Sequence, residues 1–193
     1  MSRLTREDLM SLEEYSEKRP EFRQQVMALK KIRVIPVGPD VTMHFENRAL
    51  VQYQIQEMLR VEKIFDAAGI EEELGAYNPM IPDGHNWKAT QMIEFADPEQ
   101  RKVELARLIG IDRKTWVQVG EHDKVYAISD EDLERENEEK TSSVHFMRFE
   151  LSDEMVADAK SGAVIRVGID HENYHHSLAL PEASRESFVE DLA

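Results

Sequence analysis

The 193-residue sequence contains no cysteine. Without a thiol, the chain forms no disulfide, has no cysteine nucleophile and offers no thiolate to zinc or to an iron–sulfur cluster. A redox function would therefore need a bound cofactor or a second protein. The sequence also lacks a glycine-rich phosphate loop, a nucleophile elbow and the paired carboxylate–histidine motif of di-iron helical bundles. No reaction can be assigned from a motif.

Positive charge is scarce. The chain has 24 Lys and Arg residues against 39 Asp and Glu residues, for a formal net charge of −15. Nucleic acids and acidic membranes are both bound through Lys and Arg side chains that neutralise phosphate groups. We therefore predict neither kind of partner, whereas a basic partner or a metal cation would suit the charge.

Long apolar runs are also missing. No stretch reaches the roughly 18 apolar residues of a membrane span, and the first residues, through Asp8, contain acids and no apolar signal core. We therefore predict a cytoplasmic protein. Hydrophobic residues still make up 41% of the chain, which is enough for a globular core. The length suits a single domain over residues 1–193.

The residue patterns predict an α+β fold. We expect a mixed, mainly antiparallel sheet of six or seven short strands, with a long helix over residues 47–67 packed on one face. Thr5 and Asp8 should open a first helix to about Tyr15, and Pro20 should begin a second one at 21–31. The acidic stretch at 130–140 is expected to form a loop or a short solvated helix. The predicted strands cover residues 41–45, 87–95, 115–119, 124–128, 144–151, 163–169 and 177–180.

The long helix carries an acid on its apolar side. At about 100° per residue, Ile55, Met58 and Phe65 lie within about 40° of Val51, and Glu62 lies near the middle of this stripe. Burying an unpaired carboxylate is very costly. The pattern therefore predicts that Glu62 has a counter-group in the protein interior.

Strand residues could complete a pocket around this acid. Arg148 shares a strand face with Val144 and Phe146 and is the expected cation for Glu62, while Glu94 could join from another strand. On and just before the helix, Glu46, Arg48, Glu57 and Arg60 extend the polar cluster. The predicted ligand-binding residues are Arg48, Glu57, Glu62, Glu94, Arg148 and Asp170, with Glu57 and Glu62 as catalytic candidates. The alternatives are a structural ion-pair network between helix and sheet or a partner interface.

A second group of polar residues lies near the C-terminus. Asp170, His171 and His175 carry carboxylate and imidazole groups that suit zinc, iron or manganese, so a divalent metal is the cofactor they would hold. Their spacing matches no defined metal motif, and the neighbouring His175 and His176 would point to opposite faces of a strand. The alternative is a turn in which Asp170 accepts from backbone amides. His171 is the strongest single candidate for acid–base catalysis, against a structural hydrogen-bonding role.

Three segments carry a family resemblance. Residues 4–15 with 19–23, 45–48 with 54–60, and 168–171 with Asn173 and Tyr174 together resemble the bacterial family called domain of unknown function 3501. The likeness covers nearly the whole chain but implies no assigned activity. Because members of that family are often encoded beside a rubrerythrin-type protein and an iron–sulfur protein, it implies an accessory role in a redox or peroxide-stress module. His44, His85 and His145 match no histidine of the family pattern and are weaker site candidates.

Three functions follow as expectations. The first is the accessory role, with an iron–sulfur or rubrerythrin-type partner and action through protein contacts or a small bound ligand. The second is a metal-dependent enzyme that uses carboxylates and His171. The third is a structural or interaction module without a catalytic site. The sequence leaves a homo-oligomer open.

Overall fold

The computed structural model describes residues 3–133, 135–137 and 139–193. Within these residues it contains six α-helices and nine β-strands. The helices are α1 Leu12–Arg33, α2 Arg48–Glu62, α3 Ala67–Tyr77, α4 Pro98–Arg107, α5 Asp153–Lys160 and α6 Glu182–Val189. The strands are β1 Val34–Pro36, β2 Val41–Phe45, β3 Asn86–Ile93, β4 Thr115–Val119, β5 Val125–Tyr126, β6 Ile128–Ser129, β7 Val144–Glu150, β8 Ile165–His171 and β9 Tyr174–Ala179.

The strands form two antiparallel sheets. Sheet A has the order β1-β2-β3-β7-β6, and sheet B has the order β5-β4-β8-β9. The predicted α+β class and antiparallel pairing are confirmed, but the strands divide into two sheets rather than one. The predicted strand at 124–128 is the point of division, because Val125 and Tyr126 pair with β4 while Ile128 pairs with β7. The chain thus passes from one sheet to the other at Ala127.

The main core lies between the sheets. Alternation along the strands turns Met43, Phe45, Trp87, Met147 and Phe149 of sheet A inward, where they are buried. They belong to the same buried cluster as the inward residues of sheet B: Val117, Val119, Ile165, Val167 and Ile169.

Helix α6 closes one end of this core. The Phe188 ring lies 4.4 Å from that of Phe45 and 5.7 Å from that of Trp87. The Trp87 indole N–H also donates to the Phe188 carbonyl at 2.9 Å. The buried indole is thereby hydrogen-bonded as well as packed.

Helices α1, α2 and α3 lie on the outer side of sheet A. Val51, Ile55 and Leu59 of α2 form a buried cluster with Leu74 of α3. Leu50 and Tyr53 of α2 pack with Val26 of α1 in another. The helical period therefore places two apolar sides of α2 against two helices. None of the helices in the described parts of the chain combines the length and apolar character needed to cross a membrane.

The N-terminal helices differ from the prediction. Thr5 and Asp8 form the expected capping box, in which the Thr5 N–H donates to Asp8 at 2.8 Å, but they cap only a 3₁₀ turn over Arg6–Asp8. One continuous helix, α1, then passes through Pro20. Proline removes a single backbone hydrogen bond, and the helix continues because its packing against α2 stabilises the turns that follow.

Helix α2 is shorter than predicted. Asn47 caps it as expected, accepting from the Leu50 N–H at 2.9 Å. The helix ends at Glu62, where Lys63 adopts the left-handed conformation with φ 55°, and Asp66 then caps α3. Phe65 consequently lies in the connection and is 70% exposed. Because α3 begins only a few residues after α2 ends, the helical spacing of apolar residues continues across the connection. Periodicity alone therefore does not show that the helix is interrupted.

The acidic stretch is irregular in its described residues, 130–133, 135–137 and 139–140. One isolated bridge joins Glu136 to Thr141. Of the two expected forms, a loop or a short solvated helix, these residues have the irregular one.

Candidate functional site

A cleft separates the outer face of sheet A from helices α2 and α3. It has a narrow lobe of about 270 Å³ and a wide lobe of about 600 Å³. Glu46, Tyr77, Met80 and Phe146 line both lobes, so the lobes adjoin each other. Most of the lining is apolar, as is usual for sites that bind small organic molecules.

Glu46 lies where the two lobes meet. It follows β2 and precedes the cap of α2, and its backbone is held at both ends: its N–H donates to the Lys88 carbonyl at 2.8 Å, and its carbonyl accepts from Arg33 at 2.9 Å. The side-chain carboxyl accepts a long hydrogen bond of 3.3 Å from the Thr90 hydroxyl. The carboxyl is thus fixed in position with weak hydrogen bonding.

Burial dominates the electrostatics of this carboxyl. Desolvation raises the pKa of Glu46, and the opposing effects of Thr90, Lys30 and Arg33 only partly offset it. A carboxyl with a raised pKa can exchange a proton closer to neutral pH than a solvated one. The group is therefore suited to hydrogen bonding with a ligand and to acid–base chemistry.

Cations border the wide lobe, where Arg3, Lys88 and Arg148 line the wall. Lys88 donates to the Pro79 carbonyl at 2.6 Å, and its burial lowers the pKa of the ammonium group. Arg148 pairs with Glu131 at 2.8 Å and also with Glu150. The charged groups at the rim of the wide lobe are thus largely paired with other protein groups, and the floor of the lobe is apolar.

The described residues provide no interior partner for Glu62. Glu62 is exposed at the end of α2, and Arg148 pairs with Glu131 and Glu150 instead. Glu94 is also exposed and accepts from the Thr42 hydroxyl at 2.7 Å. The expectation of a pocket carboxylate at Glu62 was wrong, because Glu62 is the last residue of α2 and lies beyond Leu59, the last buried residue of the helix. Glu46 provides the carboxyl of the cleft.

Arg48 and Glu57 tie α2 to the N-terminal elements. Arg48 pairs with Asp8 at 2.6 Å. Glu57 accepts two hydrogen bonds from Arg19, at 2.7 and 2.9 Å, and a third from the Tyr15 hydroxyl at 2.7 Å. Arg60 adds an ion pair with Glu57 at 3.1 Å. Hydrogen bonding by Arg19 holds the pKa of Glu57 far below its usual range. This arrangement matches the alternative of a structural ion-pair network, formed here between two helices.

Replacing Glu57 with glutamine should lower the free energy of unfolding by about 1–2 kcal/mol near neutral pH, because charge-assisted hydrogen bonds are lost at a mostly buried position. The folded pKa lies below the unfolded one, so this contribution is present above about pH 4.5 and is lost as the pH falls through the folded value. Urea unfolding in neutral and acidic buffer should show the gap between wild type and variant narrowing in acid.

Glu14→Gln is the matched control. Its i,i+4 pair with Lys18 is exposed, so the expected change is only about 0.3–0.5 kcal/mol. An equal loss in the two variants, or a gap for Glu57→Gln that does not narrow in acid, would contradict the assigned role.

The residues of the predicted C-terminal metal site diverge. Asp170 and His171 are consecutive in β8 and face opposite sides. Asp170 bonds Lys124 at 2.6 Å and Tyr126 at 2.9 Å, and the exposed His175 ring lies 3.6 Å away. Partial burial acts to raise the pKa of Asp170, but the bonds from Lys124 and Tyr126 outweigh it and lower the pKa.

His171 occupies the buried side. Its Nε2 donates to the Ile109 carbonyl at 3.0 Å, and its Nδ1 accepts from the Asn173 N–H at 3.2 Å. Both ring nitrogens are therefore used in structural hydrogen bonds, and the three predicted ligands do not converge on one point.

A different group does converge. Among the described residues, Asp112, Asp130 and His145 form the one set of three whose possible ligand atoms all lie within 4.8 Å of one another. The family resemblance makes His145 a weaker candidate, and its place on the strand face opposite Phe146 and Arg148 is the one local signal that could have pointed to it. The two aspartates come from distant segments, so no local pattern connects them.

Together these features define an α+β protein of two facing antiparallel sheets, with a helix-walled cleft on the outer face of the larger one. The model of the family DUF3501, described as a protein of unknown function, matches residues 3–192. The chain belongs to this family, as the resemblance implies.

A solved structure supports the fold. The chain is similar to a novel protein of unknown function from Burkholderia pseudomallei K96243, whose crystal structure was determined at 1.90 Å resolution. The two are 44% identical over 100% of each chain, with a TM-score of 0.92. A comparison with curated proteins gives no match.

Proposed function

We propose that the protein binds a small organic molecule in the cleft between sheet A and helices α2 and α3. The observation that carries this proposal is the position of Glu46, a desolvated carboxyl at the junction of two mostly apolar lobes. An apolar cavity with a few convergent polar groups and a perturbed pKa is the usual form of a ligand site.

The chemistry of the lining limits the ligand. Met80 and Phe146 give a flat apolar surface shared by both lobes. The Glu46 carboxyl accepts a hydrogen bond in either protonation state. The matching ligand has an apolar body and an N–H or O–H group directed at Glu46.

A ligand-observed NMR screen with small apolar amines, amides and alcohols tests this proposal. Bound compounds should lose at least about tenfold in affinity when Glu46 is replaced by alanine, because a buried hydrogen bond to the ligand then has no acceptor. Glu62→Ala is the control, since Glu62 is exposed at the far end of α2, and we expect unchanged affinity. No binding at millimolar concentration, or equal binding by both variants, would contradict the proposal.

The accessory role in a redox or peroxide-stress module stays a proposal that rests on the family resemblance. Because the chain lacks cysteine, electrons would have to be carried by the iron–sulfur or rubrerythrin-type partner or by a ligand in the cleft. Co-purification of the tag-free protein with that partner would support this role, and separate elution at micromolar concentrations of both would count against it.

A further inference from the structure

A second polar cluster lies inside the molecule, on the opposite side of sheet A from the cleft. His145 of β7 is fully buried and faces inward. Asp112 begins a 3₁₀ turn just before β4, and Asp130 follows β6. The cluster thus joins the inner face of sheet A to the segment that leads into sheet B.

His145 has hydrogen-bond partners at both ring nitrogens. Nε2 lies 2.9 Å from the Thr141 hydroxyl, which can donate or accept, and 3.1 Å from the Ser142 carbonyl, which can only accept. Nδ1 lies 2.6 Å from Asp130 Oδ2, the distance of a hydrogen bond. In the tautomer that carries its proton on Nε2, Nδ1 has a lone pair for a metal ion, which would move Nδ1 and Oδ2 apart.

A buried acceptor atom of the group points to a metal ion. Asp112 Oδ2 accepts from the Ser129 hydroxyl, but Oδ1 has no hydrogen-bond partner in the part of the chain that is described, and the Arg113 guanidinium lies 3.7 Å from it. Asp112 is more than nine-tenths buried. An unsatisfied buried acceptor is costly, and a cation would satisfy it.

The charge of the cluster favours a divalent ion. Its described members comprise four carboxylates and two guanidinium groups, namely Asp112, Asp130, Asp132, Glu136, Arg113 and Arg135. With a neutral imidazole, carboxylates exceed cations by two. Arg113 lies 3.7 Å from Asp112 but 2.7 Å from Glu136, and Arg135 lies 3.3 Å from Asp130 but 2.6 Å from Asp132. Each guanidinium is thus closer to an acid outside the group of three.

We propose that Asp112, Asp130 and His145 bind a divalent first-row transition metal, Zn²⁺ or Mn²⁺. Mixed carboxylate and imidazole ligands suit these ions, whereas Ca²⁺ and Mg²⁺ prefer oxygen alone. With its proton on Nε2, His145 would donate to the Ser142 carbonyl at 3.1 Å, and such a bond orients the ring of a metal-bound histidine. Ligand atoms 2.0–2.2 Å from one ion are at most about 4.4 Å apart. The widest separation in the group, within 4.8 Å, would close by a few tenths of an ångström, while Nδ1 and Asp130 Oδ2, now 2.6 Å apart, would move further apart.

Binding would replace the proton between His145 and Asp130, so metal affinity should rise with pH. The ion would also connect β7, the turn at Asp112 and the start of the acidic stretch. We expect bound metal to slow tryptic cleavage at Arg135, which lies in that stretch.

The test uses tag-free protein that has been stripped with a chelator and dialysed. Titration calorimetry and thermal melting are run with ZnCl₂, MnCl₂, MgCl₂ and CaCl₂. We expect about one Zn²⁺ per chain with a raised melting temperature, weaker binding of Mn²⁺, and no shift with Mg²⁺ or Ca²⁺. Fewer than about 0.2 Zn²⁺ per chain and unchanged melting would overturn the proposal in favour of a proton-bridged structural contact.

Two variants locate the binding. Asp112→Asn keeps the side-chain size and should weaken Zn²⁺ binding by more than about tenfold, since even outer-shell changes lower metal affinity by 10–100-fold. His175→Ala is the control at the exposed Asp170–His175 pair and should bind as wild type does. Zn²⁺ binding that survives Asp112→Asn, or that is lost in His175→Ala, would overturn the assignment.

A measurement on the wild-type chain covers the case in which Asp112→Asn fails to fold. Nitrogen-15 NMR of labelled histidine should show Zn²⁺ shifting the Nδ1 resonance of His145 while Nε2 stays protonated. A Zn²⁺ titration that leaves the His145 ring unchanged would overturn the proposal.

Discussion

Replacement of Arg33 with methionine should lower the free energy of unfolding by about 3–5 kcal/mol, the range for breaking a buried ion pair by removing one partner. Arg33 is 1% exposed at the end of α1. Its guanidinium donates to the carbonyls of Phe45 at 3.0 Å and Ser187 at 2.8 Å, and it pairs with Asp191. Methionine fills a similar volume but donates none of these bonds. A total stability of 5–15 kcal/mol is typical of small domains, so the expected loss is a large fraction.

The position of Arg33 explains the size of this effect. It connects α1, the end of β2 and α6, and its bond to the Glu46 carbonyl also fixes the residue at the junction of the two lobes of the cleft. The guanidinium lies 5.0 Å from the Phe188 ring centre and so adds a cation–π contact. We therefore expect the variant to loosen the ligand site as well as the core.

The pH dependence separates the ion pair from simple packing. Burial raises the pKa of Asp191 to about 6, despite the opposing charge of Arg33. Because the folded value lies above the unfolded one, this carboxyl destabilises the fold increasingly as the pH rises from about 4 towards 6. Without Arg33 the pKa of Asp191 should rise further. The deficit of the variant should therefore be larger at neutral pH than near pH 4.

Urea unfolding of wild type, Arg33→Met and Arg107→Met at both pH values checks this expectation. Arg107 is the control, because its i,i+3 pair with Glu104 is largely exposed and its loss should change stability by less than about 0.5 kcal/mol. If Arg33→Met lost no more than the control, the buried network would contribute little to stability.

Features that depend on neighbouring residues were predictable from the sequence. Asn47 and Ser152, residue types that favour cap positions, cap α2 and α5, each accepting from the backbone N–H three residues later. Each of these signals is satisfied within one helical turn, so the surrounding fold does not alter it.

The arrangement of the two sheets was not predictable in the same way. Val125 and Ile128 read as one short strand, yet they pair with different sheets. Partner choice depends on which distant strand offers a free edge, and local alternation carries no such information. For the same reason, the pattern gave the class of the fold and most strand positions but not the number of sheets.

The candidate sites show the same limit. Glu62 has the correct helical phase for burial, but phase says nothing about whether packing partners extend to the end of a helix. Conversely, Asp112 and His145 are separated by 33 positions and meet only after both sheets form. Glu46 belongs to the polar cluster predicted around the long helix, but nothing local singles it out, because its pKa is raised by burial in a cleft whose walls include α3 and β7.

The second large effect is expected at Gly168, where alanine should lower the free energy of unfolding by about 2–4 kcal/mol. Gly168 of β8 is in register with Trp116 of β4, on the face of sheet B that points away from sheet A. A Cβ atom at this position would lie 2.3 Å from Trp116 Cζ2 and 2.8 Å from the Ser177 Cβ. The indole therefore packs directly over the glycine backbone.

Displacing this indole has a further consequence. Trp116 is only 3% exposed, and the Lys124 ammonium lies 4.1 Å from its ring centre. Because Lys124 also bonds Asp170, movement of the ring should weaken the cation–π contact and the ion pair together. Overpacking at Gly168 and the loss of Trp116 burial should thus both lower the free energy of unfolding.

Tryptophan emission gives a direct readout alongside urea unfolding. The chain has two tryptophans, and Trp87 is fully buried in the core between the sheets. Gly168→Ala should shift the emission to longer wavelength and increase acrylamide quenching, because only Trp116 becomes hydrated.

Gly75→Ala provides the matched control. Gly75 lies in α3, and a Cβ there would meet nothing within 4 Å. The expected outcome is a gain of about 0.5–1 kcal/mol, from lower chain entropy in the unfolded state and better helix propensity, without a change in emission. Gly168→Ala protein with wild-type stability and emission would show that β8 shifts to accept the methyl group. Trp116 would then not require glycine beneath it.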